Sequence, residues 1–93
     1  MGAEKARAAF GDVTILINNA GVVSGREMLE AETSEIEHTL KVNTLAPLLT
    51  TREFLPQMIK NRKGHIVTIA SIGGLIGISG ASDYSASKAG AIA

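Results

Sequence analysis

Two short apolar runs constrain this chain more than any other feature. Val13-Thr14-Ile15-Leu16-Ile17 and His65-Ile66-Val67-Thr68-Ile69-Ala70 are rich in β-branched residues and show little polar alternation. Runs of this kind predict strands buried on both faces, as in a parallel sheet. Between them Ile36, Leu40, Leu45, Leu48, Leu49, Leu55 and Ile59 recur at helical spacing. Strand, long helical crossover and strand make a parallel pair with a right-handed connection. With helical sequence before and after, the expected class is α/β, the central part of a doubly wound parallel sheet. Sites in such sheets lie at the carboxyl ends of the strands, where Asn18-Asn19 and Ser71 fall.

Local signals fill in the order. The alanine-rich stretch from Ala3 to Phe10 favours helix, and Gly11-Asp12 stops it. A loop runs through Ser24-Gly25 to about Glu32. Thr33 or Ser34 is the expected cap of the next helix, with Ser34 and Glu37 fitting a capping box. Pro47 and Pro56 each lack a backbone donor, which predicts a break near Asn43-Thr44 and a kink near Pro56. The basic end Lys60 to Lys63 suits a helix C-terminus. After the second strand a glycine-rich loop leads to a last helix from about Ser82.

Charge and hydropathy narrow the classes of partner. Nine basic and nine acidic residues cancel, so nothing electrostatic points to nucleic acid or an anionic membrane. With no cysteine there is neither disulfide nor thiolate chemistry. The start of the chain reads as a polar helix, not a signal peptide, and Ala6 stands where a myristoylation motif needs Ser or Thr. The longest uncharged run, Ile66 to Ser82, is broken by Gly73, Gly74, Gly77 and Gly80 and reads as strand plus loop. No membrane segment is expected within these residues.

Tyr84 and Lys88 are four apart at the start of the last helix and share a face. A free phenol, with a pKa of roughly 10, is a poor acid or base at neutral pH. An ammonium group beside it favours phenolate and brings proton transfer into range. Ser71, at a strand end, carries a hydroxyl suited to bonding a carbonyl or alcohol oxygen. Together the three would polarise a carbonyl and move one proton. Alone, Tyr-x-x-x-Lys is equally the pattern of a surface pair on any helix. His38 and His65 lack a cysteine or histidine partner and are not read as metal ligands. Asp83 reads as a cap at the helix start, and Glu27, Glu30, Glu32, Glu35 and Glu37 as a solvated acidic face.

The surroundings of the Tyr-Lys pair are specific. Ile15-Leu16-Ile17-Asn18-Asn19-Ala20-Gly21, then Val42-Asn43, then Ser71, then Tyr84-Ser85-Ala86-Ser87-Lys88-Ala89-Gly90 follow in this order. Over residues 11–93 the pattern strongly resembles the short-chain dehydrogenase/reductase family, whose domain is Rossmann-like. The resemblance implies that Tyr84 is the general acid/base, that Lys88 favours its phenolate and bonds the nicotinamide ribose, and that Ser71 holds the substrate oxygen. Asn43 matches the asparagine whose main chain binds a water linking the lysine to solvent. Asn18, Ala20 and Gly21 match the motif lining the adenosine side of the cofactor. For Asn18 and Asn19 a structural role, tying strand ends together, stands beside that reading. The implied cofactor is NAD or NADP, the substrate a small alcohol or carbonyl compound, and the full-length protein a homo-oligomer.

The same resemblance marks what these residues do not contain. No Gly-x-Gly-x-x-Gly turn follows a first strand. Gly73-Gly74-Leu75-Ile76-Gly77 lies between Ser71 and the catalytic helix, on the active-site side in this family. Residues 1–93 are therefore expected to be one partial nucleotide-binding domain, lacking the glycine-rich turn and the later substrate region. Thr50 to Met58 and Gly64 to Ser71 are similar to the branch containing retinol dehydrogenase 10 and the 17-beta-hydroxysteroid dehydrogenase 11 group. That branch implies lipophilic alcohols or ketones: retinoids, steroids, fatty alcohols. Ala46-Pro47-Leu48-Leu49 and Ser85 depart from it. The location stays open between cytoplasm and the endoplasmic reticulum or lipid droplets where the branch is often held. The alternatives are an inactive truncated fragment or interaction piece, and a non-catalytic cofactor sensor. Retention of Ser71, Tyr84 and Lys88 argues against the sensor.

Overall fold

The computed structural model describes residues 2–93. Met1, which the sequence reading takes into the first polar segment, lies outside them. Helix α1 (Gly2–Phe10) ends at Gly11, whose φ of +83° and N–H bond to the Arg7 carbonyl at 2.9 Å close the helix. Strands β1 (Ile15–Asn18) and β2 (His65–Thr68) pair in parallel, with Ile15 opposite His65 and Asn18 opposite Thr68. Flanking bonds, His65 N–H to the Thr14 carbonyl at 2.8 Å and Ile69 N–H to the Asn18 carbonyl at 2.9 Å, prolong the ladder at both ends. The strands are shorter than the apolar runs that announced them.

The crossover is one long helical rod with a widened turn inside it. Helix α2 (Thr33–Leu40) passes through a π-helical turn (Lys41–Leu45) into helix α3 (Ala46–Asn61). The Ala46 N–H reaches back five residues to the Lys41 carbonyl. Pro47 has no N–H to return to the Asn43 carbonyl four residues earlier, so the α-helical ladder cannot close there. The expected break at Asn43-Thr44 is thus a local widening, and α3 then runs unbroken through Pro56. The cap of α2 differs from expectation. It is Glu32, and the Glu35 side chain accepts the Glu32 N–H at 3.1 Å. The same capping chemistry sits two residues earlier than the Ser34–Glu37 pair. Arg62 ends α3 in the left-handed region, φ 52°, with its N–H on the Ile59 carbonyl.

Past β2 a 3-10 turn (Ile72–Gly74) leads to helix α4 (Ser82–Ile92). Arg7 joins α1 to α3 through an ion pair with Glu53 at 2.7 Å and a stack over the Phe54 ring at 5.6 Å. On the face of β1 that carries Asn18, α3 supplies the covering layer. The opposite face has none within these residues. Ile15 and Ile17 stay 61% and 59% exposed, against the expectation of strands buried on both faces. Met58 is the one large hydrophobic side chain buried among the described residues. The radius of gyration is 15.4 Å, against about 12 Å for a compact chain of this length. No helix among the described residues is long and apolar enough to cross a membrane.

Candidate active site

The carboxyl ends of β1 and β2 open into a cleft of about 290 Å³, lined by Asn19, Gly21, Val22, Ile69, Tyr84 and Lys88 among others. Helix α4 delivers the last two. Their spacing brings both side chains to one face, and the Lys88 ammonium lies 5.8 Å from the centre of the Tyr84 ring. Lys88 is 5% exposed, and its Nζ donates to the Ile69 carbonyl at 3.3 Å. That bond keeps the cation on the strand-end side of the cleft. Gly21 lies against it: a Cβ there would stand in ordinary contact, 3.4 Å from Nζ and 3.6 Å from the Asn43 Oδ1.

Ser71 comes beside the Tyr84 ring by way of the 3-10 turn. Its Oγ accepts the Gly73 N–H at 3.1 Å, capping the turn. An oxygen that accepts here still has its own O–H to donate. A Cβ on Gly73 would lie 3.2 Å from the Tyr84 Cε2 and 3.4 Å from the Ser71 Oγ. Gly73 is therefore the thin spacer between the serine and the tyrosine ring. Gly74 serves the neighbouring contact, since a Cβ there would meet the Lys88 carbonyl carbon at 2.7 Å. A side chain at Gly74 would collide with the α4 backbone, whereas one at Gly73 would require the Ile78 and Tyr84 side chains to give by a few tenths of an ångström.

Asn43, 1% exposed, sits in the π-helical turn behind Lys88. Its amide clasps both backbone groups of Val22, accepting from N–H at 2.8 Å and donating to C=O at 2.7 Å. The same Nδ2 donates to the Ser87 Oγ at 3.0 Å. Ser87 passes the bond on, donating to the Tyr84 carbonyl at 2.7 Å. Thr44 donates to the Ser87 carbonyl at 2.7 Å, with Gly90 leaving space for its side chain. Tyr84 and Lys88 thus line the cleft, with Ser71 beside the Tyr84 ring across Gly73 and Asn43 behind Gly21 and Lys88.

The strand-end asparagines divide differently from expectation. Asn18 turns its amide toward α3, where Thr50 donates to its Oδ1 at 2.6 Å. Its carbonyl is occupied by Ile69. The contacts that tie the fold therefore belong to Asn18, and Asn19 lines the cleft. Ala20 and Gly21 follow on the exposed rim. His38 and His65 are exposed, and no group of metal-ligating side chains forms among the described residues.

Asp83 is the residue sequence reasoning misplaced. The cap of α4 is Ala81, and Asp83 lies inside the first turn, 5% exposed. Its Oδ2 accepts from the Thr39 hydroxyl of α2 at 2.8 Å. Burial pushes its carboxyl up. The Ser24 and Thr39 side chains and the backbone N–H groups of Tyr84 and Asp83 outweigh that and hold it below the ordinary 3.8. A carboxyl depressed by folding adds stability above its unfolded value, roughly 3.9, and the contribution is lost as pH falls through the lower folded value. In the full-length protein the thermal midpoint is expected to drop below about pH 4. Asp83→Asn flattens that acid limb; an acid limb unchanged by the substitution would contradict the assignment. Partners so distant in sequence carry no local signal, so Thr39 and Ser87 were invisible before the helices were packed.

The model of the family described as short chain dehydrogenase matches residues 2–93. Retinol dehydrogenase 10-B of Danio rerio is 53% identical over 90 residues, covering 97% of this chain and 27% of that protein. Retinol dehydrogenase 10 of Homo sapiens is 49% identical over the same length, covering 97% and 26%. The chain thus spans about a quarter of the length of these relatives. Among solved structures, a short-chain dehydrogenase from Streptomyces avermitilis superposes with a TM-score of 0.90 at 34% identity, covering 97% of this chain and 33% of that one. A metagenomic short-chain oxidoreductase in complex with NADP gives 0.89 at 36% identity, covering 98% and 41%.

Proposed function

This chain belongs to the short-chain dehydrogenase family, and from that premise we propose that it is the proton-transfer segment of a longer NAD(P)-dependent oxidoreductase acting on lipophilic alcohols or their carbonyl partners. The observation that carries the reading is the Tyr84–Lys88 pair lining the strand-end cleft, with Ser71 beside the Tyr84 ring across Gly73. The substrate class rests on the relatives named retinol dehydrogenase 10; retinoids stand first, steroids and fatty alcohols next.

In the oxidative direction the substrate O–H gives its proton to the Tyr84 phenolate oxygen. The carbinol C–H bond breaks with its electron pair leaving as hydride, and the C–O bond becomes C=O. Bound NAD or NADP supplies the hydride acceptor in this direction and the donor in reverse. Ser71 donates its free O–H to the substrate oxygen and fixes it beside Tyr84. Lys88, its ammonium 5.8 Å from the centre of the Tyr84 ring, would hold the ribose hydroxyls of the bound cofactor. A water bound at the Asn43 main chain would carry the proton on toward solvent, and the Asn43 carbonyl is open to it in so far as Pro47 has no N–H to offer. Gly21 and Ala20 form the rim for the adenosine side, with Asn18 holding that rim on α3. The open cleft, with Asn19 and Gly21 on its lining, suits a cofactor lying along the strand ends.

The test is turnover by the full-length protein with all-trans-retinol, in separate arms with NAD and with NADP. Retinal and one reduced coenzyme are expected in equal amounts. A sterol and a long-chain fatty alcohol in parallel assign the substrate class. Folded protein that reduces neither coenzyme with any of these alcohols overturns the reading.

A further inference from the structure

The face of α4 next to Tyr84 and Lys88 is held by two buried rungs. Thr39 of α2 donates to Asp83 at 2.8 Å, and Asn43 of the π-helical turn donates to the Ser87 Oγ at 3.0 Å, both across 44 residues of sequence. The equal separation means that the two helical segments run side by side in register, one turn from rung to rung. Each α4 rung residue directly precedes a member of the proton-transfer pair: Asp83 before Tyr84, Ser87 before Lys88. Thr39, Asn43 and Ser87 are at most 1% exposed, and Asp83 is 5% exposed.

We infer that Thr39, Asp83 and Ser87 are positioning residues, forming with Asn43 a polar ladder that sets the rotation and register of the catalytic helix. The inference rests on the functional reading above. A helix packed only by small apolar contacts can turn about its axis at little cost, and α4 is rich in Ala, Ser and Gly. Hydrogen bonds demand donor and acceptor within a few tenths of an ångström, and a buried one left open is costly. The upper rung is more demanding than a neutral pair, because its acceptor is a carboxylate. The Asp83 Oδ1 makes no hydrogen bond among the described residues, although the Ser24 side chain and the Tyr84 and Asp83 N–H groups favour the charged form. Oδ2 and Thr39 therefore bear the connection. Turning α4 by a few degrees would carry the Tyr84 oxygen away from Ser71, whose own position is set by a different element, the 3-10 turn.

The experiment is a double-mutant cycle in the full-length enzyme, with retinol and the coenzyme that supports turnover. Asp83→Asn and Thr39→Val should each lower kcat, by about tenfold to a hundredfold, as expected when a reacting group is displaced by a fraction of an ångström to 1 Å. The KM for coenzyme should stay within about twofold, since alcohol positioning and not coenzyme capture is disturbed. Thr39→Ser, which keeps the hydroxyl, should restore kcat, and the double variant should lose little more than the worse single one. Ser87→Ala, on the lower rung, should show the same split. Hydrogen exchange at the amides of residues 84–88 should quicken in each rung variant, with the C-terminal half of α3 unchanged.

Normal kcat in folded Thr39→Val, additive losses in the double variant, or a coenzyme KM rising in step with the fall in kcat would each overturn the ladder. Should Asp83→Asn fail to fold, the Thr39 variants, which leave the carboxylate in place, decide it. An inactive wild type would sink the functional reading instead, and the exchange measurement would still judge the ladder.

Discussion

Tyr84→Phe in the full-length enzyme is expected to lower kcat for alcohol oxidation by about a hundredfold to ten-thousandfold, the range associated with a general acid/base. Phenylalanine keeps the ring that lies against Gly73 and removes one oxygen. The fold, the coenzyme KM and the Lys88 bond to the Ile69 carbonyl should therefore survive. No other proton-transferring side chain besides Lys88 lines the described cleft, and an amine tied to a carbonyl cannot take over the tyrosine's position. The loss should appear in both kcat and kcat/KM, as for an interaction made in the transition state. A kcat within about threefold of wild type would end the proposed mechanism, since the expected minimum is about a hundredfold.

The second large effect concerns the 93-residue chain as an isolated polypeptide. It is expected to show no cooperative thermal transition and poorly dispersed amide signals. Two paired strands do not make a stable sheet without neighbours or a layer on each face. Met58 is the only buried large hydrophobic side chain among the described residues, while Leu48, Ile72 and Leu75 are 64%, 69% and 72% exposed. Buried apolar area is the main term opposing chain entropy, which costs about 1–2 kcal/mol per residue for the backbone. A chain with an uncovered β1 face and open strand edges lacks enough of it, and those edges favour aggregation. Measured by calorimetry and by amide NMR, a sharp endotherm with a dispersed spectrum would show this estimate of the core to be wrong. The isolated chain should also give no retinol oxidation, and activity from it would contradict the same estimate.

Much of the site was legible in the sequence because its signals are local. Tyr84 and Lys88 share a face at any rotation of α4, since four residues are about one helical turn. Pro47 announces the widened turn because the missing N–H is a property of the residue itself. The parallel pairing of β1 and β2 follows from two apolar runs and the length of helix between them. The cap of α2 was read with the right chemistry and the wrong residues, because Glu32 with Glu35 and Ser34 with Glu37 present the same pattern two residues apart.

What could not be read depended on how the helices pack. Asp83 looked like a cap because an acidic residue at a helix start is favoured there in any protein. It is buried on Thr39 because α2 and α4 lie side by side in register. Asn18 faces α3 rather than the cleft because the strand alternates and α3 covers that face. The Tyr84-to-Lys88 spacing is thus a one-dimensional fact, stored in neighbouring residues. The aim of that pair at Ser71 is a three-dimensional one, set by bonds between groups 44 positions apart that sequence order does not bring together.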